Sequence, residues 1–112
     1  MLGVQESVAD EDASSNVSMI DCGIRSLRDI PLQLRTVSIN LHSNSIQKIE
    51  NLQFLQNLVH LDLSSNQIKK IDGVQGLVSL ECLNLSCNSI VSIENLDGLK
   101  ALRQAALYFL LI

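Results

Sequence analysis

A 22-residue repeat constrains this chain more than any other feature of its sequence. Asn44, Asn66 and Asn88 each stand at the same place in one of three consecutive lines of similar sequence. The lines read TVSINLHSNSIQKIENLQFLQN, LVHLDLSSNQIKKIDGVQGLVS and LECLNLSCNSIVSIENLDGLKA, and they fill residues 36–57, 58–79 and 80–101 without a gap. A fixed period of this length is typical of a stack of equal units, and such stacks usually serve as binding surfaces.

The apolar residues of each unit predict a short strand followed by a return segment. With the first residue of a unit as position 1, apolar residues recur at positions 4, 6, 11, 14, 17 and 20. The alternation at positions 4 and 6 predicts a strand, and the three-residue spacing after it suits a 3₁₀ or short helical segment. Each unit is thus predicted to be a short strand, a turn and a helical or extended arc back to the start. We therefore predict an α/β solenoid, a right-handed superhelix with short parallel strands on its concave face. Stacking should place Leu61 beside Ile39 and Leu83.

The asparagine at position 9 predicts an internal hydrogen-bond ladder. Its amide offers an acceptor and donors, so it can satisfy buried backbone groups of neighbouring turns. Removing Asn66, the middle member, should leave partners unpaired on both sides. Cys22 stands 22 residues before Asn44 and is predicted to be a buried ladder residue in an imperfect unit over residues 14–35. The structural ladder thus comprises Cys22, Asn44, Asn66 and Asn88.

The repeat frame sets the predicted domain organisation. Residues 1–13 form an acidic leader that we expect to be disordered, and residues 14–107 form the repeat domain. The frame breaks from residue 102, because Leu110 stands where the next asparagine belongs. The apolar terminus at 108–112 is then either a degenerate cap or the sign of a chain that once had more repeats. The second interpretation is favoured, because a solenoid without a cap exposes its last apolar layer.

Charge and cysteine content narrow the classes of partner. The net charge is −4, and the four acids of the first 16 residues account for all of it. This balance provides no basic surface for nucleic acid or an anionic membrane, so neither is an expected partner. Three cysteines and no export signal favour reduced thiols and a cytoplasmic protein.

The strand residues that point away from the core are the candidate protein-binding surface. We expect a peptide or protein partner to contact this concave face, although the same residues also fit an ordinary solvated sheet face. The surface is polar and lacks the aromatic anchors that usually dominate binding energy. The candidate residues are Ser38, Asn40, His42, His60, Asp62, Ser64, Cys82, Asn84 and Ser86.

Catalysis, metal binding and cofactor binding are not predicted. His60 and Cys82 share position 3 of adjacent units, and a neighbouring His and Cys could form a nucleophile pair or part of a metal site. No third ligand or catalytic partner accompanies them in the pattern. We therefore predict no catalytic residue, no metal ligand and no enzymatic activity.

The pattern LxxLxLxxNxIxxIxxLxxL resembles the 22-residue class of leucine-rich repeats over residues 14–101. The stretch INLHSNSIQKIENLQFLQNLVHLDLSSNQIKKIDGVQGLVSLECLNLSCNSI is also similar to the centrosomal family of leucine-rich repeat and coiled-coil domain proteins. That resemblance implies a centrosome or centriole scaffold that acts in mitotic spindle organisation and cilium assembly. The sequence contains no heptads for the family's coiled coil. The alternative is an adaptor that resembles the phosphatase-binding members of the same repeat class.

Overall fold

The computed structural model describes residues 15–107, which form one parallel sheet with the return segments packed behind it. The strands follow chain order in space, so each one pairs with its neighbours in the sequence. They are β1 (Ser15–Ser18), β2 (Thr36–Asn40), β3 (His60–Asp62), β4 (Cys82–Asn84) and β5 (Gln104–Ala106). The predictions for the leader at 1–13 and the terminus at 108–112 lie outside the described residues.

The strand register follows the sequence period. Ile39 pairs with Leu61, and Leu61 pairs with Leu83, as the repeat predicted. β5 continues the register into the stretch where the repeat frame breaks, and places Ala105 beside Leu83. Strand pairing uses backbone groups alone, so it persists where the asparagine pattern does not.

The return segments are mostly turns and irregular chain, and not helices. Within residues 15–107 the structure has one 3₁₀ helix, Leu27–Asp29, and no α-helix. Elsewhere the chain forms consecutive turns, in which Leu55 N donates to Leu52 O at 2.9 Å and Leu58 N to Leu55 O at 3.3 Å. Within these residues the helical form of the predicted return arc is therefore found only at Leu27–Asp29. The solenoid is otherwise built from strands and turns.

Left-handed backbone at position 16 explains why the return segments do not become helices. Asn51, Gly73 and Asn95 occupy this position with φ of 61°, 108° and 64°. A positive φ cannot continue a right-handed helix, and Asn and Gly are the residues that adopt it most readily. The turn directly after each of the strands β1 to β4 has a second left-handed residue at position 8, as in Ser65 with φ 55°.

The core lies between the sheet and the return segments and consists of aliphatic side chains. In the unit 58–79, Leu61, Leu63, Ile68, Ile71 and Val74 are each at most 1% exposed. The apolar positions read from the sequence are therefore the core positions in this unit. No helix of the described residues is long and apolar enough to cross a membrane.

Candidate protein-interaction face

The asparagine ladder lies in the turns that directly follow strands β2 to β4, beside the candidate surface. Asn66 Oδ1 accepts a hydrogen bond from Ile46 N at 3.0 Å. Its Nδ2 donates to Leu41 O and Leu63 O, both at 3.0 Å, and to Ser64 O at 3.1 Å. Every hydrogen-bonding atom of this buried amide is occupied, and it joins its own unit to the preceding one.

The side-chain hydrogen bonds of the ladder run in one direction only, from each asparagine to the unit before it. Asn88 repeats the pattern, accepting from Ile68 N at 2.9 Å and donating to Leu63 O at 2.9 Å. Asn44 accepts from Cys22 N and Ile24 N and donates to Met19 O. The expectation that Asn66 pairs with both neighbouring units is therefore wrong, because each amide reaches back to the preceding unit and to its own turn.

Cys22 is not a buried ladder residue. It is exposed, and its thiol donates to Ile20 O at 3.3 Å in its own turn. The physical reason is the direction of the ladder. A residue at position 9 bonds to the unit before it, and the structure describes no unit before β1. The backbone of Cys22 takes part in the ladder instead, as a donor to Asn44.

Two rows of side chains form the outward surface of the sheet, which we call the open sheet face. Position 3 contributes Asn16, Ser38, His60, Cys82 and Gln104, and position 5 contributes Ser18, Asn40, Asp62, Asn84 and Ala106. The residues of the two rows from Ser38 to Ala106 line a shallow depression of about 430 Å³. Adjacent members of a row are one strand spacing apart, about 4.8 Å.

The side chains of position 5 also have a structural role. Asn40 Oδ1 accepts from the backbone N–H two residues later at 3.1 Å. Asp62 Oδ1 and Asn84 Oδ1 do the same at 2.9 Å and 3.0 Å. An Asn or Asp that bonds its own backbone two residues on forms an Asx turn, which here ends the strand. The alternation of the strand predicted these residues only as contacts, although an Asn or Asp directly before a turn also indicates an Asx turn.

At position 7, His42 is half-buried, but the two serines do not contribute as predicted. Ser64 and Ser86 are 5% and 7% exposed, so they are buried and do not line the surface. Ser64 Oγ donates to Asp62 Oδ1 at 2.6 Å and lies 2.8 Å from His42 Nδ1. Since a hydroxyl has one proton, His42 Nδ1 is the donor to Ser64. The serine thus lies between histidine and carboxylate, whereas an activated serine needs histidine in the middle.

The residue pair considered for catalysis or metal binding is not part of a larger group of metal-ligating side chains within residues 15–107. His60 and Cys82 are register partners on adjacent strands. Cys82 Sγ lies 3.9 Å from Gln104 Oε1, and Cys82 is half-buried. Within residues 15–107, no group of three or more His, Cys, Asp or Glu side chains is placed to hold a metal ion. This part of the surface offers hydrogen-bonding groups for contact.

The solved structures with a similar fold include two internalins from Listeria monocytogenes. Internalin inlF has a TM-score of 0.80 and 24% identity over 90% of this chain. Internalin C2 has a TM-score of 0.78 and 27% identity over 87% of this chain. The matched regions span only 30% and 43% of those two internalins. A search of curated proteins found no match.

Two family models match the repeated part of the sequence. A model described as "Leucine rich repeat" matches residues 35–90, which is half of the chain. A second model with the same description matches residues 79–102. The matched residues include β2 to β4 and the three ladder asparagines. With its parallel strands, aliphatic core and asparagine ladder, the chain belongs to the leucine-rich repeat family.

Proposed function

We propose that this chain is a non-enzymatic scaffold that binds a protein partner on its open sheet face. The observation that supports this most directly is the surface itself. Most of its side chains are polar, those from Ser38 to Ala106 line one continuous depression, and they stand on strands held in fixed register. A rigid surface loses little conformational entropy on binding, which favours recognition of an extended segment.

We further propose a cytoplasmic location and a role at the centrosome or centriole, in spindle organisation and cilium assembly. This part of the proposal rests on the sequence resemblance to centrosomal leucine-rich repeat and coiled-coil domain proteins. Phosphatase adaptors of the same repeat class are the second candidate. Only Asp62 supplies an acidic side chain to the two rows, and no aromatic residue accompanies it, so that candidate has less support.

Proximity labelling in cultured ciliated cells tests both parts of the proposal. The chain would be fused to a biotin ligase as three variants: unchanged, Ser38→Arg with Cys82→Arg, and Gln47→Arg with Gln53→Arg. The first pair of substitutions fills the open sheet face, and the second adds the same charge at exposed positions of the return segments. We expect centriolar proteins to be labelled by the unchanged chain and the control, and to be lost with the first pair.

Two results would overturn the proposal. Labelling that is insensitive to the two open-face arginines would show that the partner binds elsewhere on the molecule. Labelling of phosphatase catalytic subunits without centriolar proteins would replace the centrosomal role with the adaptor role. Thermal unfolding of each purified variant would establish that the arginines act on the surface and not on folding.

A further inference from the structure

We infer that the open sheet face selects a protein segment presenting a lysine or arginine side chain to Asp62, with hydrogen-bond acceptors on either side of that cation. The inference rests on the proposed function, since it names the chemistry of the partner that the same face would bind. Three adjacent residues carry it: Asn40, Asp62 and Asn84. They are consecutive register partners in β2, β3 and β4.

The Asx turns fix which atom of each side chain faces a partner. In Asn40 and Asn84, Oδ1 accepts a backbone N–H at 3.1 Å and 3.0 Å. A backbone N–H can only donate, so the amide oxygen must face it and Nδ2 must face outward. Each of these asparagines therefore presents a donor on the open sheet face.

Asp62 presents the opposite chemistry at the same position. Its Oδ1 accepts from both Ser64 N at 2.9 Å and Ser64 Oγ at 2.6 Å. Its Oδ2 has no hydrogen-bond partner among residues 15–107, and the two ion pairs of that range involve other residues. The half-buried carboxylate thus offers one acceptor oxygen and a negative charge to a partner.

Together the three side chains present a donor, an acceptor and a donor in that order along the axis of the stack. Their spacing is that of adjacent parallel strands, about 4.8 Å. Asp62 is the only acid in the two rows. A complementary segment supplies a cationic donor in the centre, flanked by acceptors such as backbone carbonyl oxygens. Charge-assisted hydrogen bonds are about twice as strong as neutral ones, so the central cation should dominate selection.

The asparagines of the neighbouring repeats suggest the substitution that tests the preference for a cation at Asp62. Asp62→Asn keeps Oδ1 for the Asx turn, which the asparagines of the neighbouring strands form with the same geometry. It turns the outward acceptor into a donor and removes the charge. Asn84→Asp is the converse, since it keeps the turn and adds a second outward acceptor beside Asp62.

A random dodecapeptide library displayed on phage would be panned against the immobilised purified chain. We expect the unchanged chain to enrich peptides with Lys or Arg at one common position.

The binding of one selected peptide would then be measured by fluorescence anisotropy with each variant. Asp62→Asn should weaken it at least about tenfold, since a hydrogen bond to a charged group contributes about 1.5–3 kcal/mol. Asn84→Asp should bind it at least as tightly, and the open-face pair Ser38→Arg with Cys82→Arg should abolish binding.

The outcomes separate this inference from the proposal on which it rests. Peptides that lack a basic residue, or that bind Asp62→Asn as well as the unchanged chain, would overturn the cation preference. If the two arginines still block those peptides, the open sheet face remains the binding surface. If no peptide is enriched, or if the two arginines leave binding unchanged, both the inference and the binding surface are wrong. Amide NMR spectra of Asp62→Asn would verify its fold, and Asn84→Asp provides an independent test of the same charge preference.

Discussion

The unit 58–79 and the unit 80–101 have nearly the same apolar pattern, yet their side chains have different environments. Ile71 and Ile93 both occupy position 14, but Ile71 is 0% exposed and Ile93 is 54% exposed. The difference lies in the segment that stacks on each unit. The unit 58–79 is covered by the complete unit after it, whereas the unit 80–101 precedes the stretch in which the repeat frame breaks. A leucine-rich unit therefore completes its core only when the next unit stacks on it.

The hydrogen bonds of the asparagine ladder also differ between the interior units and the unit 80–101. Ile24 N, Ile46 N and Ile68 N each donate to the asparagine of the following unit. Within the described residues, no side chain accepts from Ile90 N, and the sequence has Leu110 where that amide would stand. Stability in such a stack is close to a sum of nearest-neighbour interfaces, so the last unit should be the least stable.

The two isoleucines at position 14 provide the largest expected contrast. Ile71→Ala creates a cavity in a closed core and should cost about 2–5 kcal/mol of unfolding free energy. Ile93→Ala removes a side chain that is already half in water and should cost below about 1 kcal/mol. Urea denaturation followed by circular dichroism measures both. Equal losses would mean that the last unit is as closely packed as the interior ones.

The ladder itself gives the next largest effect. Asn66→Ala removes the acceptor of Ile46 N in the preceding unit and one of the two side-chain hydrogen bonds to Leu41 O, and should cost about 1–3 kcal/mol. Lys69→Ala is the control, because that side chain is exposed and its loss should change stability by less than about 0.5 kcal/mol. The midpoints of thermal unfolding compare the two. Coincident midpoints would contradict the energetic role of the ladder.

Two glycines of the unit 58–79 test the backbone within the return segment. Gly73 has φ 108°, and a Cβ placed on it would overlap the Ile49 carbonyl oxygen. Gly73→Ala should therefore cost more than about 1 kcal/mol. Gly76→Ala is the matched control, since nothing lies within 4 Å of its Cβ, and it should be neutral or slightly stabilising. A stable Gly73→Ala protein would show that this turn can relax.

In the last unit, position 16 carries a side chain instead of glycine. Asn95 has φ 64°, and its Nδ2 donates to Ile71 O at 2.6 Å. The side chain thus bonds the carbonyl oxygen equivalent to the one that Gly73 approaches in the preceding interface. At position 16, adjacent return segments therefore meet by close backbone contact in one interface and by a side-chain hydrogen bond in the next.

The period predicted the parts of the fold that depend on side-chain burial. The register of Ile39, Leu61 and Leu83 follows from it, because a shift of one residue would turn these side chains to the solvent. The form of the return segments did not follow. Spacing of three fits both a helix and consecutive turns, and the left-handed backbone of Asn51 decides between them. Asparagine adopts that conformation only in some contexts, so its presence alone was not decisive.

The candidate surface was predicted less completely than the core. Position 3 and position 5 residues face outward as alternation requires, but Ser64 at position 7 comes after the strand and turns inward. Alternation applies only while the chain is extended, and β3 ends at Asp62. The burial of Cys22 was mispredicted for another reason. Its place in the period was right, but the period does not say that the amide bonds only toward the preceding unit.

The smallest expected effect lies on the outer side of the first interface, where Arg28 Nε bonds Glu50 Oε1 at 3.0 Å. Both residues occupy position 15. Asp72 and Glu94 occupy the same position in the next two units, so only the first interface has a basic residue at position 15. The Arg28 side chain is 69% exposed, so water and salt screen the pair.

Arg28→Ala should therefore cost about 0.2–1 kcal/mol at low ionic strength and less in about 1 M NaCl. Arg103→Ala is the comparison at the other end of the stack, where Arg103 lies 3.7 Å from Glu81 and both partners are more exposed. Its cost should be smaller still. Urea denaturation at the two salt concentrations measures both variants. A loss for Arg28→Ala that persists in high salt would mean that the side chain stabilises the interface by packing its methylene groups and not by its charge.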